Sequence, residues 1–342
     1  MKAIVMDEFG EPDVLKMQEI PRPLPGADEV LVRIKCCGVC HLDLILRSGM
    51  RSRVKPPRIL GHELAAEVLE VGANVDDFVP GDRITSFNFQ ACGKCADCLR
   101  GRPSLCRQTL GDIGQTRDGG YAEYAVLLAS NLVKLPDGML FEHACFAACV
   151  YGPPYKAIRG VGKIQPGQTV VITGASGGLG LAAIQITKSL GARSIAITSN
   201  ASKVDRLKAL GADEVVVSPD GAFGEDVRQL TKGRGADLVV ELIGSPTFHG
   251  SLRSLAPGGR IAVVGELHGT PVEINLGLLI IKEFELHGVQ SANRAELQEI
   301  LQFMHDNAIE PTIWKSLPLD KAAEAHRELA NREVIGRVLL VP

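Results

Sequence analysis

"TVVITGASGGLGLAAIQITKSLGARSIAIT", residues 169–198, decides the fold. A β-branched apolar run leads into glycines at 174, 177, 178 and 180. A helix-like apolar pattern and a second β-branched run follow. Glycine permits a tight turn and lets backbone N–H groups approach a pyrophosphate, whose charge the helix N-terminus favours. A glycine-rich turn without a ligand would look the same in isolation. Its place between strand and helix, at the head of a βαβ series, argues for a nucleotide. "ASKVDRLKALGADEVVV" (201–217), "ADLVVELIG" (236–244), "SPTFHGSLRSLAPGGRIAVVG" (245–265) and "FELHGVQ" (284–290) continue the alternation. That pattern predicts a parallel sheet with helices on both faces.

The chain before this stretch has another texture. "EVLVRIKCCGV" (29–39), "AAEVLEVG" (65–72), "GDRITSF" (81–87) and "YAEYAVLLASNLVKL" (121–135) are strand-like runs punctuated by Gly, Pro and Asp. After the alternating region comes a helix, "RAELQEILQFMHDN" (294–307). The final "IGRVLLVP" (335–342) reads as a strand returning to the first domain. The expected division is residues 1–152, completed by 295–342, and residues 153–294. A length of 342 residues suits two domains. No internal repeat or low-complexity tract interrupts them.

Net charge is −3 and pI about 6.3, which disfavours nucleic acid as a partner. No run of 18 apolar residues predicts a membrane span. "MKAIVMDEFGEPD" carries Asp7 and Glu8 and has no long apolar core, so it does not read as a signal peptide. The expected compartment is cytoplasmic.

All nine cysteines lie in the first 149 residues. In a secreted chain they would suggest disulfides; in a cytosolic one, tight clusters suggest metal. "CGKCADCLRGRPSLC" supplies Cys92, Cys95, Cys98 and Cys106. Four thiolates so spaced can close a tetrahedron around one structural zinc, with disulfides the alternative. Cys40, the "GHE" of Gly61 to Glu63, and Cys149 in "CFAACVYG" are dispersed. Taken singly, each reads equally as a buried thiol or a core histidine.

Together these features carry a resemblance. "GVCHLD" (38–43), "GHE", the four-cysteine loop, "GGYAEY" (119–124), the glycine turn and "GRVLLVP" (336–342) are similar to the zinc-containing medium-chain dehydrogenase/reductases, the alcohol dehydrogenase superfamily. The resemblance covers essentially the whole chain. It implies an α/β protein with a GroES-like β-rich catalytic domain and a Rossmann doubly wound cofactor domain. It implies that Cys40, His62 and Cys149 bind a catalytic zinc, leaving a fourth position for water or substrate. Glu63 would approach the metal, and Asp43 would orient His62. His41 and Arg337 would contact cofactor pyrophosphate, and Gly174, Ser176, Gly177, Gly178, Leu179 and Gly180 would form the cofactor turn. Cys36, Cys37 and Cys145 are left as packing thiols. Two zinc ions per chain, hydride transfer with a small-molecule substrate between the two domains, and a homodimer or homotetramer are the further implications. A strand near "VEINLGLLI" (272–280) is the expected edge for pairing two sheets.

An NAD site usually has an acid at the end of the second Rossmann strand. "SIAITSNASK" (194–203) has Thr198, Ser199, Asn200 and Lys203 there. Hydroxyls and a lysine suit a 2′-phosphate, so NADP(H) is expected over NAD(H). The alternative is that Asn200 or Ser202 merely caps the next helix.

Three departures bear on the substrate. Alcohol dehydrogenases of this family usually place Ser or Thr two residues after the first ligand, to pass the substrate proton toward solvent. Here that residue is Leu42, which has no exchangeable proton. "CVYGPPYKAI" (149–158) around the third ligand also departs from the common pattern. Ala175 makes "GASGGLG" more like quinone and enoyl reductases. "VVITGASGGLGLAAIQITKSLGA" and "GSPTFHGSLRSLAPGGRI" are similar to archaeal acryloyl-CoA reductases, which use NADPH to saturate an activated C=C bond. Arg47, Arg51, Arg53, Lys55 and Arg58 form a basic cluster that would meet CoA phosphates, or else a solvated surface loop. The leading expectation is a zinc-dependent, NADP(H)-linked alcohol/carbonyl oxidoreductase. The rival is an enoyl-thioester reductase. A nucleotide-binding sensor without turnover is a third class.

Overall fold

The computed structural model describes residues 1–50, 54–266, 269–331 and 333–342. The chain divides into two compact units, Met1–Cys149 with Ser291–Pro342, and Val150–Gln290.

The second unit is a six-stranded sheet. Its order is Glu214–Val217, Arg193–Thr198, Thr169–Ile172, Ala236–Glu241, Leu255–Val263 and Glu285–Gly288, and every pairing is parallel. In order along this unit the strands run 3-2-1-4-5-6, the Rossmann arrangement, so the crevice where ligands bind lies at the carboxyl ends between strands 1 and 4. Val170, Val171 and Ile172 are wholly buried. That is why the central strand reads as a continuous apolar run rather than an alternating one. Burying each such side chain contributes about 1.5–3 kcal/mol over leaving it exposed.

The first unit is built on a seven-stranded sheet that is antiparallel except where Ile313–Pro318 pairs with Arg337–Val341. Glu29–Val39 pairs with Glu63–Val71, with Tyr124–Leu128 and with the C-terminal strand Arg337–Val341. The return of the chain's end is therefore as expected, with Val338 opposite Val39. Cys36 and Cys37 are wholly buried in Glu29–Val39, and Cys145 is nearly so, in keeping with packing roles. The helix Arg294–Asp306 begins with a reciprocal capping box between Asn293 and Glu296. Among the described residues, no helix is long and apolar enough to cross a membrane.

One expectation fails. "VEINLGLLI" contains no strand: Leu276–Lys282 is a helix, capped by Asn275. The outermost strand of the parallel sheet is Glu285–Gly288. A short apolar run lacks the periodicity to separate strand from helix, and here the Asn275 cap decides.

Candidate metal and nucleotide sites

The dispersed residues converge. Glu29–Val39 delivers Cys40 to the start of the helix His41–Arg47. Antiparallel pairing sets Gly38 opposite Glu63 and so brings His62 alongside. Cys149 arrives on the π-helical turn Ala147–Tyr151, a wide turn often found at functional sites. The donor atoms of Cys40, His62, Glu63 and Cys149 all lie within 4.8 Å of one another. Cys149 Sγ is 3.5 Å from His62 Nε2, across 87 positions of sequence. Two sulfurs, an imidazole and a carboxylate match the donors that zinc prefers.

The electrostatics suit a cation. Cys149 donates a hydrogen bond that holds the Cys40 thiol well below its ordinary pKa against burial, with His62 adding to the effect. Burial alone would push His62 down, but the charge and hydrogen bond of Asp43, with the Cys40 sulfur, hold it well above. Burial raises Glu63 to about 7, Arg337 opposing. Arg337 Nε lies 3.4 Å from Glu63 Oε2, close enough for an ion pair but too poorly aligned for a hydrogen bond. Neither Glu63 carboxyl oxygen has a hydrogen-bond partner among the described residues. Buried oxygens without hydrogen bonds beside two thiols are a local deficit that a cation would relieve.

Asp43 is fully buried. Its Oδ2 accepts from Cys40 N (2.9 Å) and Tyr121 Oη (3.2 Å). Its Oδ1 sits 3.2 Å from His62 Nδ1. Gly61 has φ +93°, and a Cβ there would lie 2.4 Å from the Tyr121 ring. Glycine is thus required before His62 for Tyr121 to pack against it.

Cys92, Cys95, Cys98 and Cys106 form a second cluster. Their sulfurs lie 3.4–3.9 Å apart, far beyond a disulfide length, and all are free thiols. Backbone hydrogen bonds, that of Lys94 first, lower Cys92 to about 6, whereas burial raises Cys98 to about 12. The segments Ala96–Leu99 and Pro103–Leu105 bury no residue, so apolar packing does not hold this loop.

In the second unit the glycine turn joins Thr169–Ile172 to the helix Gly178–Ser189. A Cβ on Gly180 would lie 2.5 Å from the backbone of Ala175, so glycine allows the helix to seat against the turn. Lys203 Nζ donates to Ser176 Oγ at 3.3 Å, linking the turn to the end of the second strand. Thr198 Oγ1 accepts from Asn200 N (3.2 Å), and Ser199 is exposed. Asn200 does cap: its Oδ1 accepts from Ser202 N at 2.9 Å.

Several site features escaped the sequence reading. Glu241 is wholly buried at the carboxyl end of strand 4. It accepts from Thr173 Oγ1 and Thr247 Oγ1, both at 2.7 Å, from the backbone N–H of Ile243 and Gly244, and from Ser251 Oγ. It thereby fastens the loop beside the switch point. His326, on the helix Ala322–Ala330, is wholly buried and pushed down to about 4 by burial. A lone histidine on a helix gave no signal. The basic cluster is corrected as well. Arg47 is buried and donates to Gly10 O (3.1 Å) and His326 Nδ1 (3.5 Å). Arg58 pairs with Asp118 (2.9 Å), Lys55 is exposed, and Arg51 and Arg53 lie outside the described residues. Leu42 packs against the core of its unit, and His41 is exposed.

A Rossmann sheet in one unit and a cysteine–histidine donor set in a β-rich other define a dehydrogenase-type oxidoreductase with a candidate metal centre. Comparison with known proteins gives the family. The model of the alcohol dehydrogenase GroES-like domain matches residues 26–137, and that of the zinc-binding dehydrogenase matches 178–306. An acryloyl-coenzyme A reductase of Sulfurisphaera tokodaii is 35% identical over 343 residues, covering 100% of both chains. An alcohol dehydrogenase of Geobacillus stearothermophilus is 34% identical over 342 residues, covering 99% of each. The crystal structure of AibC, 44% identical, superposes with a TM-score of 0.95 over 100% of this chain and 96% of that one. The chain belongs to the zinc-containing medium-chain dehydrogenase/reductase family, the alcohol dehydrogenase superfamily.

Proposed function

We propose that this protein transfers a hydride between NADP(H) and an alcohol or carbonyl substrate, with Cys40, His62 and Cys149 holding a catalytic zinc and Glu63 within reach of it. The observation that carries the reading is the convergence of these four donors within 4.8 Å. Zinc there would supply Lewis acidity toward a substrate oxygen, and the nicotinamide would supply or accept the hydride. The chain's own part is to bind and orient. Asp43 keeps the Nδ1 proton of His62 and turns Nε2 toward the donors. Burial of Cys40, His62 and Glu63 keeps water from their inner side. The turn Gly174–Gly180, with Ser176 and Leu179, cradles pyrophosphate; His41 and Arg337 are its further contacts. Thr198, Ser199, Asn200 and Lys203 receive the 2′-phosphate, the lysine supplying the charge; capping uses Asn200 Oδ1 and not its side-chain amide N–H groups. Cys92, Cys95, Cys98 and Cys106 hold a structural zinc. The working form is a homodimer or homotetramer in the cytoplasm.

A second reading has its own support. Leu42 offers no proton where an alcohol dehydrogenase needs a hydroxyl, and a relative of matching length is named an acryloyl-coenzyme A reductase. Saturation of an enoyl thioester would need no hydroxyl at that position. NADPH oxidation with aldehydes and with acryloyl-CoA, before and after chelation, separates the two. Aldehyde turnover abolished by chelation is expected, and Cys40→Ser should abolish it too. Acryloyl-CoA turnover that survives loss of the catalytic zinc would overturn the first reading.

A further inference from the structure

We propose that Tyr121, His326 and Arg47 are positioning residues for the catalytic metal, joined through Asp43 into a one-way hydrogen-bond chain that decides which nitrogen of His62 faces the ion. The inference rests on the reading of Cys40, His62 and Cys149 as ligands. The ends of the chain set its direction. A guanidinium only donates, and a carboxylate only accepts. Between them stand a neutral imidazole and a phenol, each able to donate one hydrogen bond and accept another.

Arg47 Nη1 lies 3.5 Å from His326 Nδ1. That nitrogen must therefore present its lone pair, and the proton sits on Nε2. His326 Nε2 then donates to Tyr121 Oη at 3.3 Å. The phenol proton has one acceptor left, Asp43 Oδ2 at 3.2 Å. Cys40 N occupies the same oxygen at 2.9 Å. Asp43 Oδ1 is thus left for His62 Nδ1, at 3.2 Å. Nδ1 carries the proton held by Asp43, which makes Nε2, on the side of the thiols, the nitrogen that would give its lone pair to the metal.

Asp43, Tyr121 and His326 are all wholly buried, so water cannot repair a misplaced proton. The opposite tautomer of His326 would set two donors against each other at Arg47. It would also draw the Tyr121 hydroxyl away from Asp43. Arg47 is itself held by Gly10 O, and His326 reaches it across 279 positions of sequence. The helix carrying His326 meets this site with small residues otherwise, since Ala322 and Ala325 are its other buried positions. His326 is thus the polar side chain among the helix's buried positions, and both its ring nitrogens are engaged, by Arg47 and by Tyr121. The Tyr121 and His326 rings meet edge to face, with centroids 5.9 Å apart. That contact survives without the hydroxyl, so packing and hydrogen bonding are separable by experiment.

The test is zinc retention against a graded chelator, read as metal content per chain, with the four-cysteine zinc as the internal mark of a folded protein. Tyr121→Phe and His326→Leu should each weaken the catalytic zinc by about 10- to 100-fold, the range for groups that support a ligand, and leave the structural zinc unchanged. His326→Gln, whose amide can still donate to Tyr121, should recover most of the loss. In an Asp43→Asn background Tyr121→Phe should add nothing, because it acts through Asp43. Wild-type zinc retention in Tyr121→Phe, or losses that simply add to that of Asp43→Asn, would overturn the chain. If His326→Leu fails to fold, Tyr121→Phe decides alone. A wild-type chain holding a single zinc would instead remove the metal reading and the proposal with it.

Discussion

Lys203→Ala tests the cofactor assignment most directly. Lys203 ends the 3-10 turn Ala201–Lys203 beyond the second strand, and its Nζ meets Ser176 Oγ at 3.3 Å. It is half-buried, and burial lowers its pKa, so the ammonium is poorly hydrated and ready to pair with an anion. A hydrogen bond to a charged group contributes about 1.5–3 kcal/mol. Partial exposure reduces this to about 1–2 kcal/mol. At about 1.4 kcal/mol per decade, NADPH affinity should fall by about 5- to 30-fold. NADH lacks the 2′-phosphate and should bind as before. Asn200 still caps the turn through Ser202 N, so the backbone stays in place. Fluorescence titration of both cofactors, with kcat/KM for each, gives the comparison. Equal losses for NADPH and NADH, unchanged NADPH binding, or a wild-type preference for NADH would refute the assignment.

Glu241→Ala should orphan the N–H groups of Ile243 and Gly244, at about 1–3 kcal/mol each, whereas Glu241→Gln keeps an acceptor and should come close to wild type. Hydrogen exchange at those two amides reads this out; similar rates in both variants would contradict it. Chelating the proposed structural zinc should open the 92–106 loop to trypsin at Lys94 and Arg100, because the segments Ala96–Leu99 and Pro103–Leu105 bury no residue that would hold the loop without a metal. An unchanged digestion rate would count against the site. Glu29 titrates below its usual 4.5: burial raises it, but Arg117 and the Gly26 N–H outweigh that. Its contribution is therefore present above pH 4.5 and lost as pH falls through the folded value. Glu29→Gln should flatten the acid limb of urea midpoints by under about 1 kcal/mol; an identical limb would refute this.

What could be read from sequence followed from how local each signal is. The Rossmann strands and helices repeat within tens of residues, and the four cysteines stand within fifteen positions, so spacing alone suggested both. The dispersed set was legible only through resemblance, because no local rule links Cys40 to Cys149. The errors have the same origin. "VEINLGLLI" is too short for its period to tell strand from helix. Arg47 read as one of five cations, yet it ends a helix and turns inward to Gly10 and His326.

The sequence by itself determined the parallel nucleotide sheet, the glycine turn that Gly180 permits, and a cysteine loop in want of a metal. These depend on residues near one another in the chain. The resemblance places Asp43 behind His62; the tertiary structure alone decided that Tyr121 and His326 stand behind Asp43 and that the oxygens of Glu63 are buried without hydrogen bonds. Strand pairing and helix packing bring these groups together across as many as 279 positions. Buried as they are, Tyr121 and His326 each have one neighbour to donate to and another to accept from, and their protons have a single consistent arrangement.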